Sequence, residues 1–179
     1  MKTLIAVMLV ITCVVSADEV DDIREYYNEV KEHLDDEYGL YRTEISINTE
    51  DGVYPAVGHY QEEITFYWGS EAGHQWLVLV IWSGEFSMHR EYGEVLFSIP
   101  ERPWEGDTGE LLFEFVSFHN SDGMPSESRW WYSEGELLQS SGHTDYPFGI
   151  MQFTPDIPGE YDHAHNPAEL LEMFNSIHH

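Results

Sequence analysis

Eight consecutive residues, Gln75-Trp76-Leu77-Val78-Leu79-Val80-Ile81-Trp82, contain one polar side chain. The run is far shorter than the roughly 20 apolar residues of a membrane span. Side chains alternate between the faces of a strand, so a strand apolar at both sets of positions belongs in the middle of a sheet covered on both sides. The flanking sequence supports a sheet. From Leu40 to Pro155 apolar residues recur with a period of two: Ile45 and Ile47 lie between Glu44, Ser46 and Asn48, and Tyr60, Ile64, Phe66 and Trp68 alternate with Gln61, Glu63 and Thr65.

Turn chemistry divides this stretch. Glu50-Asp51-Gly52, Gly69 to Gly73, Ser83-Gly84, Asn120-Ser121-Asp122-Gly123 and Glu134-Gly135 each read as turns. Gly93 suggests a bulge or break between Phe86–Tyr92 and Val95–Ile99. A loop from Pro100 to Gly109 precedes Leu111–Phe118, a second strand apolar on both faces. Ser128–Tyr132, Leu137-Leu138 and Phe148–Phe153 complete the set. Consecutive strands joined by short turns predict an antiparallel meander.

A helix is predicted at each end. Over Asp18–Leu34, the residues Val20, Ile23, Tyr27, Val30 and Leu34 recur at steps of three and four and fall on one face. Near the C-terminus Asn166 caps, Pro167 suits the first helical position and Glu169 completes a capping-box arrangement. Leu170, Leu171, Phe174 and Ile177 form the stripe expected to be buried. The expected fold is α+β, an antiparallel meander with an N-terminal and a C-terminal helix, at least one of them laid across a curved sheet as in cystatin-like or NTF2-like architectures.

Residues 1–17 read as an export signal: Lys2 gives the positive start, Leu4–Val15 the apolar run, and Val15-Ser16-Ala17 the small residues before a cleavage site. The expected location is secreted or periplasmic. A lipoprotein anchor at Val10-Ile11-Thr12-Cys13 is the weaker reading, because Thr12 stands where a smaller residue is expected. Cleavage removes Lys2 and the only cysteine, leaving residues 18–179 as one domain with 6 basic against 34 acidic side chains, a formal charge of −28. Without a disulfide, such a chain must be held by its core. Aromatics at 15% supply one and argue against disorder. So few cations exclude a nucleic-acid surface.

The stretch Glu127-Ser128-Arg129-Trp130-Trp131-Tyr132-Ser133-Glu134-Gly135-Glu136-Leu137 resembles an aromatic β-hairpin found in small exported bacterial domains of unassigned function. The resemblance implies a fold element and carries no catalytic residue.

Candidates for chemistry are scattered. Phe113-Glu114-Phe115 sets an acid in an apolar strand, where burial would raise its pKa and suit it to general-acid work; Glu62 interrupts its strand in the same way. Arg129 lies on the strand after Glu114, so an internal ion pair is the expected use of that acid. Convergence of Glu62, Glu114 and Arg129 in one cleft would favour a small carboxylate-dependent hydrolase. Asp162, His163 and His165, with Glu160 nearby, offer a two-residue His spacing able to hold a divalent cation; a loop leading into the helix cap is the simpler reading. No nucleophile motif, phosphate loop or cofactor fingerprint is present, and no cofactor is expected. Trp104, Trp130 and Tyr132 are candidates for an aromatic surface that meets a protein, a peptide or a glycan. The leading expectation is an exported acidic binding or interaction domain, not an enzyme.

Overall fold

The computed structural model describes residues 18–34, 39–48, 60–86, 89–105, 107–119, 125–142 and 165–178. The export signal, the Glu50-Asp51-Gly52 and Asn120–Gly123 turns, the Phe148–Phe153 strand, Glu160, Asp162 and His163 lie outside them. Helix α1 covers residues 18–32. Seven strands follow, β1 Tyr41–Asn48, β2 Tyr60–Glu71, β3 His74–Phe86, β4 His89–Phe97, β5 Leu111–His119, β6 Pro125–Ser133 and β7 Glu136–Gly142, and helix α2 spans Pro167–His178. Each strand pairs antiparallel with the next, so the sheet order is the chain order. This is the expected α+β meander. Among the described residues no helix is long and apolar enough to cross a membrane.

The two helices cover opposite faces, which accounts for the doubly apolar strand. Val80 and Trp82 of β3 pack with Ile64, Phe66, Val95 and the α2 residues Leu170 and Phe174. Leu79 and Ile81 point the other way, against Val20, Ile23 and Val30 of α1. Three register shifts enrich the α1 side. Tyr67 pairs with Leu79 and Trp68 with Leu77, leaving Val78 as an extra residue in β3; in the same way Leu112 is extra in β5 and Leu138 in β7. At each of these bulges the extra residue joins the core under α1, so Val78 with Leu79, and Leu112 with Phe113, present two consecutive apolar side chains to one helix.

Several turns differ from expectation. Gly69 remains in β2, and the β2–β3 turn is the pair Ala72-Gly73 alone; it matches Glu134-Gly135 between β6 and β7, both pairs having positive φ throughout. That is the two-residue hairpin geometry suited to strand twist. Ser83 and Gly84 do not turn the chain: they stay in β3, Gly84 pairing with Glu62 on one side and Glu91 on the other. Gly93 neither bulges nor breaks β4 but holds register between Trp82 and Val116. Its small size is used for packing, since the ring of Trp82 occupies the space a Cβ would need.

Asn166 caps α2, the Ala168 amide donating to its Oδ1 at 2.9 Å. Leu170 and Phe174 are buried as expected and Leu171 is half-buried, but Ile177 is 44% exposed. The last turn is held instead by His178, whose ring lies 4.5 Å from both Trp68 and Phe174.

Candidate functional site

The residues that project from α1 beside its buried stripe form one wall of a groove of about 400 Å³, and β5, β6 and β7 form its floor and far wall. Ile23, Phe113 and Trp131 give it an apolar base. Phe113 stacks edgewise with Tyr27 at 5.2 Å and tilts against Trp131 at 5.5 Å, so the three rings form a continuous surface. Asn28 and Ser141, both exposed, stand at the rim. Arg24 and Arg129 also line the groove, and no lining residue among the described residues is acidic. In a chain with 34 acids and 7 basic residues, this is a local concentration of the scarce charge.

Both arginines are held by aromatic faces. The guanidinium of Arg24 lies 5.0 Å from the Trp131 ring and that of Arg129 lies 4.7 Å from Phe115. Each also has a carboxylate partner outside the groove: Arg24 donates from Nη1 to Asp21 at 2.7 Å and Arg129 from Nη2 to Glu127 at 2.9 Å. A guanidinium carries five N–H donors. One contact therefore leaves most of its donor edge for another acceptor. Exposed pairs of this kind hold by only about 0–1 kcal/mol.

The wall is fixed by a buried acid. Glu94, 4% exposed, accepts hydrogen bonds from Tyr27 of α1 and Tyr92 of β4 and pairs with Lys31 of α1 at 3.1 Å. Burial pushes the phenols of Tyr27 and Tyr92 well above their ordinary range, and the carboxylate they donate to adds to the shift. Both are neutral donors at physiological pH. Tyr26 adds a bond to the Phe97 carbonyl at 3.4 Å, and burial, followed by the charge of Glu29, pushes it up to about 12.

The other candidates do not meet. Glu114 and Arg129 face opposite sides of the sheet, because Glu114 pairs with Trp130 while Arg129 pairs with Phe115. The expected internal ion pair is absent; Tyr132 donates to Glu114 Oε2 at 3.1 Å instead. Burial raises the pKa of Glu114 and the bond from Tyr132 opposes the rise. Tyr132 is itself raised, by burial first and then by the charge of Glu114. Glu62, 3% exposed, meets His165 at the entry to α2, where the imidazole also lies 5.8 Å edgewise from Trp82. Three strand steps and four residues along the chain separate Glu62 from Glu114, roughly 20 Å on a flat sheet. They do not form a carboxylate pair, and among the described residues no cleft joins them to Arg129.

Of the aromatic candidates, Trp130 is half-buried against the α2-side core, on the same face as Tyr132, and Trp104 is 55% exposed in a one-turn 3-10 helix, Pro103–Glu105. His165 is the one described member of the expected metal set, and no group of three metal-ligating side chains occurs among the described residues. A second depression, of about 470 Å³, lies between Gln61, Glu63, Glu85, Arg90 and His119, and among the described residues the ring of Tyr92 is its one apolar lining side chain.

Arg24, Glu94 and Trp131 were not singled out by sequence patterning. The available signal was scarcity: with so few cations, Arg129 beside Trp130 and Arg24 two residues before Tyr26 mark positions where positive charge is retained against the composition. No protein-family model matches the chain, no curated protein matches its sequence, and no solved structure matches its fold at a significant level.

Proposed function

We propose that this is an exported, acidic binding domain whose ligand seats in the groove between α1 and strands β5–β7, and that it performs no catalysis. The observation that carries this reading is the groove's make-up: three contiguous aromatic rings, two arginines and, among the described residues, no acid, in a chain where acids outnumber basic residues 34 to 7. Its size falls within the range of small-molecule sites, roughly 300–1,000 Å³, which combine an apolar lining with a few placed polar groups. The separation of Glu62 from Glu114 argues against a hydrolase built on those carboxylates.

Plugging the groove tests the reading. Ser141 is exposed on the edge strand β7, so Ser141→Phe fills the rim without disturbing the core. Wild type and variant are screened by calorimetry against a mixed panel of small carboxylates, amines, sugars and short peptides. Ligands that bind the wild type should lose at least tenfold in affinity in Ser141→Phe and nothing in Trp104→Ala. Hits that survive the plug and fail in Trp104→Ala would move the site to the exposed loop and overturn the assignment.

A further inference from the structure

We propose that the ligand of this groove is an organic monocarboxylate with an apolar, ring-sized body, its carboxylate bound by Arg24 and Arg129 and its body laid against Tyr27, Phe113 and Trp131; this rests on the groove being the binding site. Charge permits an anion here despite the composition. A strongly negative protein repels anions at long range, but at physiological ionic strength the screening length is about 8 Å, so the charges that count are the two arginines lining the groove and the carboxylates of Asp21 and Glu127 paired with them, which together are not net negative. Planar guanidiniums match carboxylate geometry, and their seats over Trp131 and Phe115 hold them in fixed orientations, which reduces the ordering cost on binding. The charge of Arg129 is felt at the Tyr27 phenol, where it opposes the upward shift, so its field reaches across the groove to the helix wall.

The lining also limits the ligand. Asp21 and Glu127 already take one contact from each arginine. A ligand carboxylate competes with these weak exposed pairs for the guanidinium donors, and both carboxylates repel any anion, so charge alone does not select the ligand. Three aromatic rings contribute nothing to an ion without an apolar body. Inorganic phosphate, which has no apolar body, is therefore a poor fit, and an arylalkyl carboxylate a good one. A cationic or neutral ligand of the same shape would keep the stacking surface and leave both guanidiniums unused.

The test compares 3-phenylpropionate, 3-phenylpropionamide, 3-phenylpropylamine and inorganic phosphate by calorimetry on the purified full chain. The expected result is binding of the carboxylate with the amide, the amine and phosphate each at least tenfold weaker. Arg129→Gln and Arg24→Gln should each weaken the carboxylate at least fivefold, Arg129→Lys by less, and Arg90→Gln, outside the groove, not at all. Equal affinity for carboxylate and amide overturns the anion assignment while leaving the groove as the site; phosphate binding as tightly as the carboxylate overturns the apolar-body assignment. Absence of binding by all four overturns the inference, and the panel screened against Ser141→Phe then decides the binding reading separately. The ligand series uses wild-type protein, so its outcome holds even if an arginine variant misfolds.

Discussion

Gly93 lies against the indole of Trp82 across the β3–β4 pair: a Cβ at residue 93 would stand 2.0 Å from Trp82 Cζ2. Trp82 is almost fully buried, its ring perpendicular to that of His165 and its Nε1 without a hydrogen-bond partner among the described residues. The glycine is thus the space that lets the largest side chain of the α2-side core lie flat on the sheet.

Gly93→Ala forces that ring aside and should cost about 1–3 kcal/mol, the range for overpacking a filled core. Chemical denaturation measures it. Trp82→Phe in the Gly93→Ala background should recover part of the loss; an additive double variant would show that the ring is not what fills the space.

Glu94 should be the most sensitive charged residue in the α1 interface. Replacing it with alanine leaves two buried phenols and Lys31 without their acceptor, a loss of about 3 kcal/mol, while Tyr27→Phe removes one bond and should cost about 1 kcal/mol. A double-mutant cycle between Tyr27 and Glu94 in urea reads the coupling. Zero coupling would rule out the anchoring role.

The strands were legible from alternation because burial on one face selects every second residue, and α2 was legible because Asn166 and Pro167 act locally. What could not be read depended on partners. An extra residue such as Val78 or Leu112 becomes a bulge only when the opposite strand lacks a match. A strand glycine marks either a break or a close approach, and at Gly84 and Gly93 the neighbouring strands decide. The fate of Glu114 turned on register: a pairing one residue over would have placed Arg129 beside it instead of Trp130. The groove draws on α1, β5, β6 and β7, with Arg24 and Arg129 far apart in sequence, so no local motif encodes it.

Glu114 should destabilise the fold at neutral pH. Its folded pKa is raised, so the stability it contributes is present below the unfolded value, about 4.3, and is lost as pH rises through the folded value. Glu114→Gln keeps an acceptor for Tyr132 and removes the buried charge. The variant should be more stable than wild type at pH 7 and indistinguishable from it below pH 4; equal stability at pH 7 would show that the carboxylate is solvated.

The melting temperature should rise with salt. At a formal charge of −27 the surface carboxylates repel, and raising ionic strength from 0.1 M to 1 M shortens the screening length from about 10 Å to about 3 Å. The Glu94–Lys31 pair, with its carboxylate buried, loses less to screening than the exposed repulsions do. A flat or falling response in sodium chloride at pH 7 would show that the charges do not limit stability.

Whether the groove is the binding site is read by backbone amide shift mapping of the full chain with 3-phenylpropionate. Perturbed amides should cluster at residues 23–28 of α1, at Phe113, at Arg129–Trp131 and at Ser141. Perturbations centred instead on Gln61, Arg90 and His119, or on the loop carrying Trp104, would place the ligand elsewhere and refute the groove as its site.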